Sequence, residues 1–305
     1  MTTILVATDF SHEALCAARW AASLGQLLHS QGEQVRLVFT YVVPVEALPA
    51  RQVVSARSEE QELTLLAQEL QEWISELQLD GVEVLPKVHV GSARRTLPDL
   101  VREYQADWLV LGQTGKGRLA KIFLGTTAEQ IALNPPCPTV LVKDVAFPWD
   151  GGLRIFSSLD LRPSSYRAAA RAADTFAPLS PEITLAHVVD LPKMGSGLID
   201  SNTLPETISS YLSEATSSIE KEIQTSWDEL TSEPTPPHQI ELRPGYPTHE
   251  LLYLIEEMTP DLITIGVNHH SALSRFFLGS VGHGILRQGL ATYLLFPYSE
   301  PETPS

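Results

Sequence analysis

Residues 108–138 read WLVLGQTGKGRLAKIFLGTTAEQIALNPPCP, and this stretch decides the fold. Its apolar opening at 108–111 predicts a short buried strand. Glycines then interrupt the chain before Thr126 and Thr127, where an amphipathic helical pattern begins. A strand followed by a glycine-rich loop and a helix start brings together backbone N–H groups that have no partner within the helix. This arrangement favours an anion, and phosphate in particular.

Outside this stretch, strand and helix patterns alternate along the first half of the chain. The predicted strands are continuous apolar runs at 3–8, 35–43, 82–90 and 139–143. The predicted helices lie between Ser11 and Gly32, at 58–79 and from Ser92 to Tyr104, with Ser11 and Ser92 as N-caps. Alternation of this kind predicts an α/β fold with a parallel sheet and helices on both faces. Such sheets bind ligands at the carboxyl ends of their strands.

The second half of the chain repeats the order of the first. RIFSSLD at 154–160 corresponds to ILVATDF at 4–10, and ITLAHVV at 183–189 corresponds to part of the second strand. Three pairs of glycines share one spacing of 154 residues: Gly91 and Gly245, Gly112 and Gly266, Gly125 and Gly279. An internal duplication therefore predicts two five-stranded parallel-sheet domains in tandem, at 1–145 and 153–298. Residues 299–305 are expected to be a disordered tail.

Composition limits the classes of partner. The formal net charge is -16, which argues against nucleic acid or an anionic membrane as a partner. No apolar run reaches the length of a membrane span and no leader pattern opens the chain, so a cytoplasmic location is expected. The two cysteines, Cys16 and Cys137, are interpreted as buried thiols, with a disulfide as the less favoured alternative.

The pattern Gly112-x2-Gly115-x9-Gly125-Thr126, the ILVATDFS opening and the PCPTVLV ending together resemble the universal stress protein family. The resemblance extends over nearly the whole chain, as two such Rossmann-like, adenine-nucleotide α-hydrolase-like domains. It implies that ATP, ADP or AMP binds in the first domain, with Mg²⁺ only as the counter-ion of the nucleotide. The adenine would lie against Asp9 and the backbone of Val42. Ribose and phosphates would be held by Gly112, Gly115, Gly125, Thr126 and Thr127.

Each of these roles has a structural alternative. Asp9 is also suited to cap the helix that begins near Ser11. Thr126 and Thr127 are ordinary N-cap residues, although a cap and a phosphate contact are compatible. The cations Lys116, Arg118 and Lys121 lie beside the loop, either within reach of phosphates or as solvated surface charges.

The second domain keeps the outer positions of the motif and changes its centre. Its equivalent residues are Asp160, Gly266, His269, Gly279 and Ser280. His269 stands where the first domain has Gly115, and its side chain occupies the space where backbone would approach a phosphate. We therefore expect weak or no nucleotide binding in the second domain, with a His–phosphate hydrogen bond as the alternative. His269, His270 and His283 lack the carboxylate or cysteine spacing of a metal site.

The resemblance implies a nucleotide-binding protein with a stress-response or regulatory role and no catalytic residues of its own. At most weak ATP hydrolysis is expected, since no Walker motif is present. The alternatives are a slow ATPase or adenylate-transferring enzyme, and an interaction module without nucleotide. The last strands of the two domains, which pair across a dimer in the family, are expected to pair within this chain. A further homodimer is left open.

Overall fold

The computed structural model describes residues 1–47, 58–77, 79–115, 124–143, 152–190, 206–232, 236–269 and 278–299. Ten strands lie in these ranges: β1 (Thr2–Thr8), β2 (Val35–Val43), β3 (Glu83–Val90), β4 (Trp108–Gly112), β5 (Thr139–Val142), β6 (Arg154–Ser158), β7 (Glu182–Asp190), β8 (His238–Gly245), β9 (Leu262–His269) and β10 (Thr292–Ser299). The α-helices in the same ranges are α1 (His12–Ser30), α2 (Glu59–Ser75), α3 (Ala93–Glu103), α4 (Thr126–Leu133), α5 (Pro163–Phe176), α6 (Glu206–Leu230), α7 (Pro247–Met258) and α8 (Ser280–Gln288). The predicted alternation of strands and helices is confirmed.

The strands form one continuous sheet in the order β3-β2-β1-β4-β5-β10-β9-β6-β7-β8. Each half contributes five parallel strands in the same relative order, with β1 or β6 next to the fourth strand of its half. The halves join where β5 and β10 pair antiparallel, with Leu141 opposite Tyr293. The predicted α/β class is confirmed, and so is the expected pairing of the two last strands within one chain.

The sheet is buried on both faces, which explains why its central strands are continuous apolar runs. Buried side chains from α1, α2, α5 and α6 pack on one face. Those from α3, α4, α7 and α8 pack on the other. Both layers cross the junction between the halves. On the first face Trp20 of α1 contacts Phe176 of α5, and Trp108 of β4 contacts Phe296 of β10.

Several local expectations need correction. Ser92 occupies the N-cap position of α3, but its side chain makes no capping hydrogen bond. Its carbonyl accepts from the N–H groups of Arg95 at 2.8 Å and Thr96 at 2.9 Å. Ser11, in contrast, caps α1 as predicted, because its Oγ accepts from the N–H of Ala14 at 3.1 Å. Cys137 is buried, whereas Cys16 is only half-buried, and neither forms a disulfide. β10 extends through Ser299, while 300–305 of the expected tail lie outside the described residues.

Candidate functional site

A cavity of about 370 Å³ opens at the carboxyl ends of β1 and β4. These two strands are neighbours in the sheet, and the chain leaves them toward opposite faces, through α1 and α4. Open α/β sheets bind ligands at such a switch point. Six of the seven residues predicted for the first site line this cavity: Asp9, Gly112, Gly115, Gly125, Thr126 and Thr127.

The loops after β1 and β4 meet at Asp9 and Gly115. A Cβ placed on Gly115 would lie 2.4 Å from Oδ2 of Asp9, so any larger residue here would push the Asp9 carboxylate out of its present position. The other carboxylate oxygen, Oδ1, accepts from the backbone N–H of Ser11 at 3.0 Å. Ser11 itself is the N-cap of α1, so Asp9 supports the turn before the helix and does not cap it. Phe10, between them, has a left-handed φ of 61°, which turns the chain away from β1.

The start of α4 differs in detail from the sequence expectation. Gly125 is the N-cap, and its backbone N–H donates to the carbonyl of Gln113 at 2.7 Å. That N–H therefore already has a partner within the chain, and the part of Gly125 in holding ribose and phosphates stays a prediction. The N–H groups that the geometry of an α-helix leaves without an internal partner are those of Thr126, Thr127 and Ala128. All three of these residues line the cavity, where the positive end of the helix dipole favours an anion.

Val42 is not among the residues that line the cavity. It lies near the end of β2, one residue past Tyr41, which is opposite the last residue of β1. Its side chain is 7% exposed and packs in the core. Its side chain is therefore not available to a ligand in this cavity, and the contact of its backbone with adenine stays a prediction. The cations Lys116, Arg118 and Lys121 lie outside the described residues.

The equivalent position in the second half has a different charge arrangement. Asp160 accepts from the backbone N–H of Arg162 at 3.1 Å, as Asp9 does from Ser11. The guanidinium Nε of Arg162 also lies 3.8 Å from Oδ2 of Asp160. An arginine thus stands where the first half has its capping serine, and it pairs with the carboxylate that corresponds to Asp9. The sequence analysis predicted neither this ion pair nor a role for Arg162, although the difference between Ser11 and Arg162 can be read from the sequence.

The glycines of the second half are also held differently. Gly266 lies within β9, so close to α5 that a Cβ would lie 2.5 Å from the carbonyl group of Ser164. Gly279, the N-cap of α8, has a left-handed φ of 66°, whereas Gly125 has an extended conformation with φ of -64°. Ser280 begins α8. His269 is the last residue of β9, and His270 lies outside the described residues.

Gln113 is the second residue that sequence reasoning missed. It occupies one of the two unspecified positions between Gly112 and Gly115, and it is 6% exposed. Its side-chain amide donates to the carbonyls of Leu141 at 3.1 Å and Ala291 at 2.6 Å. The second contact lies in the other half of the chain, so no local pattern in the sequence indicates it.

Within the described ranges, no three His, Cys, Asp or Glu side chains are grouped so as to hold a metal ion. No helix in the same ranges is long and apolar enough to cross a membrane.

Comparison with known proteins gives one consistent family. The model of the universal stress protein family matches twice, at residues 1–143 and 154–291. A universal stress protein of Synechocystis sp. is 30% identical over 154 residues, which cover 46% of this chain and 96% of that protein. One from Methanocaldococcus jannaschii is 30% identical over 144 residues, or 46% of this chain and 81% of that protein. The crystal structure of a universal stress protein from Archaeoglobus fulgidus shares the fold, with a TM-score of 0.62 at 14% identity, covering 97% of this chain and 98% of that one.

Proposed function

The chain belongs to the universal stress protein family, and on that premise we propose that it binds an adenine nucleotide, ATP foremost, in the cavity of its first half. The observation that carries this proposal is the convergence of Asp9, Gly115 and the start of α4 on one cavity. Its volume of about 370 Å³ is within the range of small-molecule sites.

The cavity has two chemically different sides. The carboxylate of Asp9 is an acceptor suited to the amine or hydroxyl donors of a nucleoside. The first N–H groups of α4 are donors suited to phosphate oxygens. A molecule that combines a donor-rich nucleoside with an anionic tail matches both. In a chain with net charge -16, such local N–H groups are the means of holding an anion. Mg²⁺ would enter as the counter-ion of the phosphates.

We assign the second half a weaker site or none. Arg162 forms an exposed ion pair with Asp160, so its guanidinium competes with a ligand for the carboxylate that corresponds to Asp9. His269 replaces the glycine that corresponds to Gly115. The proposed role is that of a cytoplasmic, stress-responsive nucleotide-binding protein and not a dedicated enzyme.

Titration of the full chain with ATP tests the proposal by calorimetry. We expect about one nucleotide per chain, because in the second half Arg162 pairs with the equivalent carboxylate and His269 stands where the first half has Gly115. Gly115→His copies the change seen at His269, and its side chain would displace Asp9, so binding should be lost while the melting temperature stays near that of the wild type. Unchanged affinity in this variant would contradict the assignment of the loop.

Incubation with radiolabelled ATP separates the alternatives. Nucleotide retained intact on the protein supports the binding role. Steady release of ADP or of an adenylated product supports a slow ATPase or an adenylate-transferring enzyme. Absence of retained label and of product would indicate an interaction module without nucleotide.

A further inference from the structure

Gln113 connects the loop of the candidate site to both halves of the molecule. Its backbone N–H donates to the carbonyl of Val142 at 3.0 Å, and its carbonyl accepts from Gly125, the N-cap of α4. Its side-chain amide donates to Leu141 and to Ala291. Ala291 is 4% exposed and precedes β10. One buried residue thus sets the start of the phosphate-facing helix and is held in place by the opposite half.

The same segment of the second half, residues 283–292, makes other contacts with the frame of the first site. His283 on α8 lies 3.5 Å from the carboxylate of Glu129 on α4, an ion pair when the imidazole is protonated. The ammonium of Lys143, just after β5, donates to the carbonyl of Leu290 at 2.7 Å. These contacts hold α4 and β5. Of the three first-half residues in these contacts, Glu129, Lys143 and Gln113, only Gln113 belongs to the loop that lines the cavity.

We propose that Gln113 is a positioning residue for nucleotide binding, and that its hydrogen bond to Ala291 couples the site in the first half to segment 283–292 of the second. The inference rests on the proposed function. Gly112 and Gly115 give the loop the freedom to leave the productive conformation, and loss of that freedom on binding lowers affinity. The Gln113 amide lowers this entropic cost of binding because it fixes the loop before the nucleotide arrives.

Coupling between a ligand and a contact is reciprocal. If the hydrogen bond to Ala291 favours the binding-competent loop, then bound nucleotide must in turn favour that hydrogen bond. The second half therefore has a role in binding that needs no ligand of its own: its segment 283–292 is part of the support of the first site.

Hydrogen–deuterium exchange on the wild-type chain tests this without any substitution. We expect saturating ATP to slow exchange of amides in residues 283–292, although no residue of that segment lines the cavity. Unchanged exchange there, with protection at the start of α4, would overturn the coupling.

Gln113→Leu supplies the second measurement. Leucine fills a similar volume but donates no hydrogen bond, so the loop loses its tie to Ala291. We expect ATP affinity to fall about fivefold or more, the lower range of coupling between sites, and ATP to lose its effect on exchange in 283–292. Lys143→Met is the matched control, because it removes another hydrogen bond between the halves without touching the loop. Its ATP affinity should stay within about twofold of the wild type, less than the smallest coupling typical between sites.

The outcomes separate the two proposals. If the wild-type chain binds ATP and Gln113→Leu binds it with equal affinity, the positioning role of Gln113 is overturned, while the proposed function stands. Equal losses in Gln113→Leu and Lys143→Met also overturn it, because general weakening of the junction would then account for both. A wild-type chain that binds no ATP overturns the proposed function and this inference with it. If Gln113→Leu does not fold, the exchange experiment on the wild-type chain still tests the coupling between the site and residues 283–292.

Discussion

The equivalent glycines in the fourth strand of each half, Gly112 and Gly266, differ in how closely a helix approaches them. A Cβ on Gly112 would lie 3.0 Å from the backbone of Glu13, whereas one on Gly266 would lie 2.5 Å from that of Ser164. Backbone cannot move aside as a side chain does. We expect Gly266→Ala to lower the free energy of unfolding by about 1–3 kcal/mol, and Gly112→Ala to lower it less. Urea denaturation measures both.

Gly282→Ala is the control for that comparison. A Cβ on Gly282 would make ordinary contacts of 3.4 Å, and Gly282 lies inside α8, where alanine is favoured over glycine by about 1 kcal/mol. Its stability should equal or exceed that of the wild type. If Gly266→Ala is as stable as Gly282→Ala, α5 can shift away from β9 at no cost and the packing argument fails.

At the scale of the single element, two helices with the same predicted cap give a direct comparison. Ser11 caps α1 through its Oγ, while Ser92 precedes α3 without a side-chain cap. Ser11→Ala should therefore destabilise the chain by about 1 kcal/mol, and Ser92→Ala by less than about 0.5 kcal/mol. Thermal unfolding of the two variants checks the difference. Equal effects would show that the Ser11 hydroxyl contributes nothing beyond that of Ser92.

Elements and their order were predictable because they depend on local patterns. Apolar runs gave the strands and the glycine spacing gave the duplication, while the family resemblance implied that Asp9 and the loop after β4 belong to one site. The side chain of Ser92 was not predictable, since capping depends on a rotamer that sequence does not specify. Gln113 and Arg162 were missed for a different reason. The first acts through the other half of the molecule, and the second through an ion pair whose geometry only the folded turn sets.

At the scale of the whole molecule, two buried side chains near the junction between the halves, those of Cys137 and Tyr293, are weakly acidic. Burial raises the pKa of the Cys137 thiol to about 12 and that of the Tyr293 phenol to about 12. In the unfolded chain these groups lose their protons near pH 9 and pH 10. Between those values and pH 12 the unfolded state binds fewer protons than the folded state, so the free energy of unfolding falls as pH rises.

Urea denaturation between pH 8 and pH 11 measures this trend. We expect stability to fall above about pH 9, and the fall to be shallower in Cys137→Ala and in Tyr293→Phe. Tyr104 and Tyr166, whose pKa values burial also raises, leave a residual slope in both variants. The slope is the quantity to compare, because Tyr293→Phe also loses a hydrogen bond to the carbonyl of Ile285. A slope identical to the wild type in both variants would contradict the assignment.

The antiparallel pairing of β5 with β10 inside one chain has a genetic consequence. In a symmetric dimer of identical subunits one coding sequence specifies both copies, so every substitution appears on both sides of the interface. Here each half has its own coding sequence. Dilution cannot separate the two halves, because the covalent link keeps each at a high effective concentration for the other. A substitution can therefore be confined to one half, as the difference between Ser11 and Arg162 illustrates. That half is free to diverge as long as it keeps the surface on which its neighbour folds.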